Sequence, residues 1–150
     1  MVVQVSKGGV MVYTGYVELS TRGHADMHDL TPQVEQILTD CEVQIGTVTV
    51  FTPSSTSAIT TIEFESGALE DLRRVLDEIA PPNRDYQHNL RWGDGNGHAH
   101  LRSALLGTSL TVPVVDGRLI LGTWQQILFI DFDVRSRRRR LVVQVVGEMA

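Results

Sequence analysis

The sequence predicts a single α+β domain over residues 1–150, mostly antiparallel β-sheet with two or three short helices. Three observations carry that expectation. Period-two and β-branched runs dominate both ends of the chain, while helically spaced apolar residues are confined to a few short segments. With 150 residues and 42% hydrophobic content, the chain can build one substantial core but not two ordinary domains.

Met11 to Leu19 alternates apolar and polar residues, the pattern of a strand with one buried face. Leu30-Thr31-Pro32-Gln33-Val34-Glu35-Gln36-Ile37-Leu38 reads as a short helix. Thr31 is its expected cap, Pro32 its first position, and Val34, Ile37 and Leu38 follow helical spacing. Gln44 to Phe51 is β-branched and period-two, a second strand. Ser54 to Glu63 follows as a line of hydroxyls ending in one carboxylate. Two readings of it stand: a threonine-rich strand, or hydroxyls and amides that bind phosphate with Glu63 as base or ligand.

Ala68 to Ile79 is the second helix, because Leu69, Leu72, Val75, Leu76 and Ile79 recur at three and four; Pro81-Pro82 stops it. From Asn83 to Gly97 all periodicity disappears, which predicts a long functional loop carrying Tyr86, His88 and Trp92. A short helix over His98 to Leu106 and a strand over Ser109 to Val115 come next. Asp116-Gly117, between apolar runs, is a hairpin turn into Arg118 to Leu121. Gly122-Thr123-Trp124-Gln125-Gln126 interrupts the apolar run Leu119 to Phe132; its ring and amide are either packed at a strand position or line a pocket. Leu141 to Val146, almost wholly apolar, is the closing strand.

A formal charge of -5 argues against the basic surface that nucleic-acid binding needs. The local exception is Arg135 with Arg137, Arg138, Arg139 and Arg140, whose charges strand alternation would divide between two faces. That run is either a salt-bridged strand start or an anion-attracting rim. Cys41 is the only cysteine, so no intramolecular disulfide forms; it reads as a small buried hydrophobe in a reducing compartment. No secretory leader is visible and no stretch approaches the ~18 apolar residues of a membrane span, so cytoplasmic residence without membrane contact is expected. Gly-rich nucleotide loops, paired-cysteine metal motifs and the hydrolase nucleophile elbow are all lacking.

Three of the five histidines, His88, His98 and His100, fall within thirteen positions. Imidazoles ligate metals or move protons near neutrality, and Asn96, Asp94 and Glu63 offer oxygen atoms beside them. Satisfied structural histidines are the alternative.

From about Thr31 to Gly147 the chain resembles the YjbQ-like family, also called the secondary thiamine-phosphate synthase family. The resemblance is carried by Asn96-Gly97-His98-Ala99-His100-Leu101, Leu106-Gly107-Thr108-Ser109, Val112-Pro113-Val114, Asp116-Gly117-Arg118-Leu119 and Leu121-Gly122-Thr123-Trp124-Gln125, with Tyr86-x-His88 upstream. It implies an α+β fold, a homotrimer, and a polar cleft for a small phosphorylated or anionic metabolite, with a site for either a divalent metal ion or an anion contributed by the histidines, the asparagine and the glutamate. By motif, His88, Asn96, His100 and Glu63 are the matching positions. His88, His100 and Glu63 are then the catalytic and metal-ligating candidates, and Asn96, Trp124 and Gln125 the binding ones. The chain departs from the family at Ser54, where a histidine is usual, at Ile62, where an asparagine is, and at Asp131, often Glu.

The activity this implies is thiamine-phosphate synthase-like transfer, joining a pyrimidine diphosphate to a thiazole phosphate with loss of pyrophosphate. Its rival is a non-catalytic binding protein for a small anionic metabolite, since serine at position 54 cannot replace a titrating imidazole. A third reading is a structural trimer whose polar interior fills a subunit junction. The shared expectation is that His88, Asn96, His100 and Glu63 converge on one hollow.

Overall fold

One strand, Gln126–Asp131, is buried along almost its whole length and organises everything around it. Alternation sends Ile127 and Phe129 into one apolar cluster and Leu128 and Ile130 into another. A strand with two buried faces has to lie between two packed layers.

The computed structural model describes residues 2–5 and 9–149. In chain order its elements are β1 (Val2–Val5), β2 (Val10–Thr21), β3 (Asp26–Asp29), α1 (Thr31–Cys41), β4 (Ile45–Phe51), β5 (Ser57–Ile62), α2 (Ser66–Ile79), α3 (Gln87–Trp92), α4 (Gly97–Leu106), β6 (Ser109–Val115), β7 (Arg118–Leu119), β8 (Gln126–Asp131) and β9 (Arg137–Glu148). The strands form a six-stranded sheet, β1-β2-β9-β4-β6-β7, and a three-stranded sheet, β3-β8-β5. All the pairings are antiparallel. The larger core lies between the two sheets and is closed at one side by Val34, Leu38 and Cys41 of α1. The smaller core packs the other face of the three-stranded sheet against Leu76 of α2 and Ala99 of α4. This is the mostly antiparallel α+β arrangement expected from the sequence, with four helices among the described residues where two or three were expected.

Several elements differ in detail from the sequence reading. Thr31 does not cap α1 with its side chain. Its hydroxyl accepts the Ile127 amide at 2.9 Å, sewing the helix start onto β8, and Asp29 Oδ1 accepts the Thr31 amide at 2.9 Å instead. The expected loop from Asn83 to Gly97 contains the six-residue α3, too short for apolar periodicity to announce it. The hydroxyl line after Ser54 is the threonine-rich strand β5. Trp124 and Gln125 sit in a turn rather than on a strand, and Trp124 is exposed. The Asp116-Gly117 hairpin is as expected, with φ of 51° and 71°, the double left-handed geometry of a type I′ turn.

The arginine run divides as alternation demands. Arg138 and Arg140 face outward, against Glu18 and over the Tyr16 ring. Arg139, on the opposite face, clasps the fully buried Asp131 with Nε and Nη2 at 2.7 and 2.9 Å. Thr21 adds a hydroxyl donor to Asp131 at 2.6 Å. Thr56 donates to Asp133 at 3.1 Å, and Arg137 Nη2 stands 3.2 Å from the same carboxylate. Burial alone would raise the Asp133 carboxyl, but the Arg135 amide, the Thr56 hydroxyl and Arg137 outweigh it and hold the group below its ordinary value.

Cys41 is buried, lies 3.2 Å from the Leu38 carbonyl, and has its thiol pushed up chiefly by burial. No helix among the described residues is long and apolar enough to cross a membrane.

Candidate functional site

The corner between α3 and α4 is built by one aromatic ring, one amide and three glycines. Chain entry is fixed at Tyr86, whose hydroxyl donates to the Pro81 carbonyl at 2.7 Å. The Tyr86 carbonyl accepts the amides of Asn89 and Leu90 at 3.0 and 3.2 Å, starting α3. Gly93 ends that helix at φ 65°, a left-handed position that glycine takes without strain. Gly95 turns the chain again at φ 70°, and α4 begins at Gly97.

Two clamps hold the helices together. Asn89 Oδ1 accepts the Gly97 amide at 2.9 Å. Gly97 itself lies so close under Tyr86 that a β-carbon there would stand 2.5 Å from Tyr86 Cβ. His88 on α3 and His100 on α4 are thereby brought face to side, ring centroids 4.3 Å apart and planes at 43°.

Asp94, in the link between the helices, completes the group. Its Oδ1 accepts the Asn96 amide at 3.0 Å and lies 3.2 Å from His88 Nδ1. That nitrogen is buried and has no aligned hydrogen-bond partner, so its closeness to Asp94 is not a hydrogen bond. Donor atoms of His88, Asp94 and His100 all lie within 4.8 Å of one another. Two imidazoles and a carboxylate are a fitting donor set for a borderline divalent ion.

Asn96 is buried next to this group and ties it to the rest of the fold. Its Oδ1 accepts the Val134 amide at 3.1 Å, so the corner is fastened to the β8–β9 connection. His98, also buried, does not belong to the converging donors. Burial first, then the charges of Arg102 and His24, push its imidazole below the ordinary range against the opposing pull of the Gly95 backbone and Asp77.

The residues named from sequence therefore separate along β8. Asp131, at the C-terminal end of that strand, leads into Val134 and the His88–Asn96–His100 corner. Glu63, Trp124 and Gln125 flank the opposite end, where Ile62 pairs with Gln126. Six residues of strand, roughly 17 Å, lie between. Glu63 is exposed and outside the histidine group. Gln125 spends its amide on Thr61 at 3.2 Å and on the Gly122 amide at 3.0 Å. The expected convergence of Glu63 with the histidines does not occur: the carboxylate that stands with His88 and His100 is that of Asp94. Its signal in the sequence was an acidic residue between two glycines, flanked by histidine-bearing segments.

Ser54, where the resemblance expects a histidine, hydrogen-bonds Thr56 through its hydroxyl at 3.2 and 3.4 Å. Ile62 packs against the smaller core, and Asp131 is held by Arg139. The third imidazole that the resemblance expects is absent at Ser54, and the third polar group beside His88 and His100 is the Asp94 carboxylate.

The family pattern described as UPF0047 protein YjbQ-like matches residues 15–148. A UPF0047 protein of Archaeoglobus fulgidus is 41% identical over 128 residues, 85% of this chain and 97% of that protein. A UPF0047 protein of Methanothermobacter thermautotrophicus is 40% identical over 137 residues, covering 91% and 94%. Among solved structures, a YjbQ-like protein from Sulfolobus solfataricus, described as of unknown function, superposes with a TM-score of 0.88 at 36% identity over 93% of this chain and 99% of that one. These relatives overturn the expectation of a thiamine-phosphate synthase: they are UPF0047 proteins without an assigned activity, and none bears a synthase name.

Proposed function

The chain belongs to the UPF0047 YjbQ-like family, and from that premise we propose that its α3–α4 corner is a divalent-metal centre with His88, Asp94 and His100 as the three protein ligands. One observation carries the reading: the buried, unpartnered Nδ1 of His88, 3.2 Å from a carboxylate oxygen to which it makes no hydrogen bond. Polar atoms buried without partners are rare in folded proteins, and a shared cation satisfies both groups at once.

The surrounding residues have assigned tasks. The Asn96 amide holds the Asp94 carboxylate, and the Tyr86–Gly97 contact and the Asn89 clamp hold the two imidazoles at their spacing. When bound, a divalent ion supplies Lewis acidity at this point, polarising an oxygen ligand or acidifying a water. The His88 and Asp94 side chains remain about a third exposed, at 29% and 34%, which leaves solvent access for water or a small anionic metabolite.

The test is metal analysis of purified protein followed by cobalt titration of the chelator-stripped protein. We expect about one ion per chain, a visible cobalt spectrum, and loss of both in His88→Ala/His100→Ala. Equal cobalt uptake by the parent and the folded double variant would overturn the assignment.

A further inference from the structure

The connection between β2 and β3 is the most strained backbone described in the molecule. Gly23, His24 and Ala25 have φ of 72°, 53° and 64°, three consecutive left-handed residues of which two carry side chains. Such conformations persist only where the surroundings over-determine them, and they concentrate at binding sites.

Here the enforcement is visible. Gly23 sits against the β8–β9 connection so closely that a β-carbon would lie 2.2 Å from the Asp133 carbonyl oxygen. The His24 amide donates to that same oxygen at 2.8 Å. From α2, Arg73 Nη1 donates to the carbonyls of His24 and Ala25 at 3.3 and 3.1 Å. The loop is thus held open as a hollow of about 260 Å³, lined by Arg22, Gly23, His24, Ala25, Asp26 and Arg73.

The charge of this hollow runs against that of the chain, which is -5 overall. Two arginines and a histidine are among its lining residues, against a single acidic residue, Asp26. The Asp26 carboxylate is already engaged: it accepts the Arg22 amide at 2.9 Å, lies 3.1 Å from His28 Nε2, and stands 3.8 Å from the Arg22 guanidinium. Arg73 makes no ion pair among the described residues; its Nη1 is spent on the two loop carbonyls, and its remaining N–H groups are the ones matched to an oxyanion. The Arg22 side chain is 90% exposed and free to fold over a guest.

We propose that the hollow binds a tetrahedral oxyanion, a phosphate or the phosphate of a small monoester, between Arg22, His24 and Arg73. The site is separate from the His88 centre and does not rest on it. Its size admits one phosphoryl group with part of its substituent. It offers no stripe of cations of the kind that follows a nucleic-acid backbone.

The experiment is a titration followed by amide and arginine side-chain NMR, using inorganic phosphate in one arm and glycerol 3-phosphate in the other, with ionic strength held by chloride. It is run on the metal-stripped His88→Ala/His100→Ala protein, so that nothing at the other centre can answer for it. Saturable shifts centred on Gly23, His24, Ala25 and Arg73 are expected, weakened at least about tenfold in Arg22→Ala/His24→Ala. Those two substitutions leave the Arg73 and Asp133 clamps on the loop backbone in place, and a retained dispersed spectrum shows that the variant is folded. Tighter binding of the monoester identifies the guest as a metabolite phosphate, and the reverse order identifies free phosphate. Shifts that match chloride, or an affinity unchanged in the double variant, would overturn the proposal.

Discussion

Tyr86 and Gly97 touch so closely that the tyrosine β-carbon stands 2.5 Å from where a side chain on residue 97 would begin. The pair sets the distance between α3 and α4, and so the 4.3 Å between the rings of His88 and His100. A contact between two residues with no metal-binding chemistry thus fixes the geometry of two that have it.

Gly97→Ala is expected to destabilise the protein by about 1–3 kcal/mol, because neither the Tyr86 backbone nor the helix start can give way without strain. Chemical denaturation measures this. Cobalt affinity should fall in the same variant even at temperatures where it is fully folded.

Asp94→Ala should weaken cobalt binding by an order of magnitude or more, about 1.4 kcal/mol at least, while Glu63→Gln should leave it unchanged. Calorimetric titration of both variants separates the carboxylate beside the histidines from the one at the far end of β8. Equal losses in the two would return Glu63 to the centre.

Arg139→Ala leaves the buried Asp131 without its bidentate partner, and breaking such a pair costs about 3–5 kcal/mol. Arg139→Lys should recover only part of that, since an ammonium cannot reproduce two parallel hydrogen bonds. Urea midpoints of the three proteins give the order.

The Asp133 carboxyl is held below its ordinary value in the fold, so its contribution is complete above the unfolded-chain value near ~4 and is lost as pH falls from there through the lower folded one. Asp133→Asn should therefore be less stable than the parent at neutral pH but lose stability less steeply in acid. Thermal melts across the acid range test the slope; a parallel pair of curves would refute it.

Cys41 should react with a thiol reagent only as fast as the protein opens, because burial both raises its thiol and blocks access. Labelling should accelerate with added urea in step with unfolding.

Strand and helix positions were legible where a period runs long enough to be counted. β2 and β4, with α1 and α2, lie where alternation or helical spacing placed them, and β6, β9 and α4 overlap the segments read as strands and a helix. What stayed hidden was short. β3 has four residues of mixed polarity, and α3 has six with no buried side chain, too few for a face to show. The arginine run was readable as two faces because strand alternation is local. Which face would meet buried carboxylates depended on β8, reached only through tertiary packing.

The sequence by itself determined the fold class, the family and the clustering of histidines, because periodicity, turn chemistry and motif order are properties of neighbouring residues. The tertiary structure alone decided which oxygen joins them. Glu63 and Asp94 are both acidic and both stand near chemistry-bearing segments in the chain. The β5–β8 ladder carries Glu63 to one end of the sheet, while a link of only seven residues between His88 and Asn96 keeps Asp94 at the other. Distance in space is set by strand pairing and helix packing, and neither leaves its mark on any single stretch of residues.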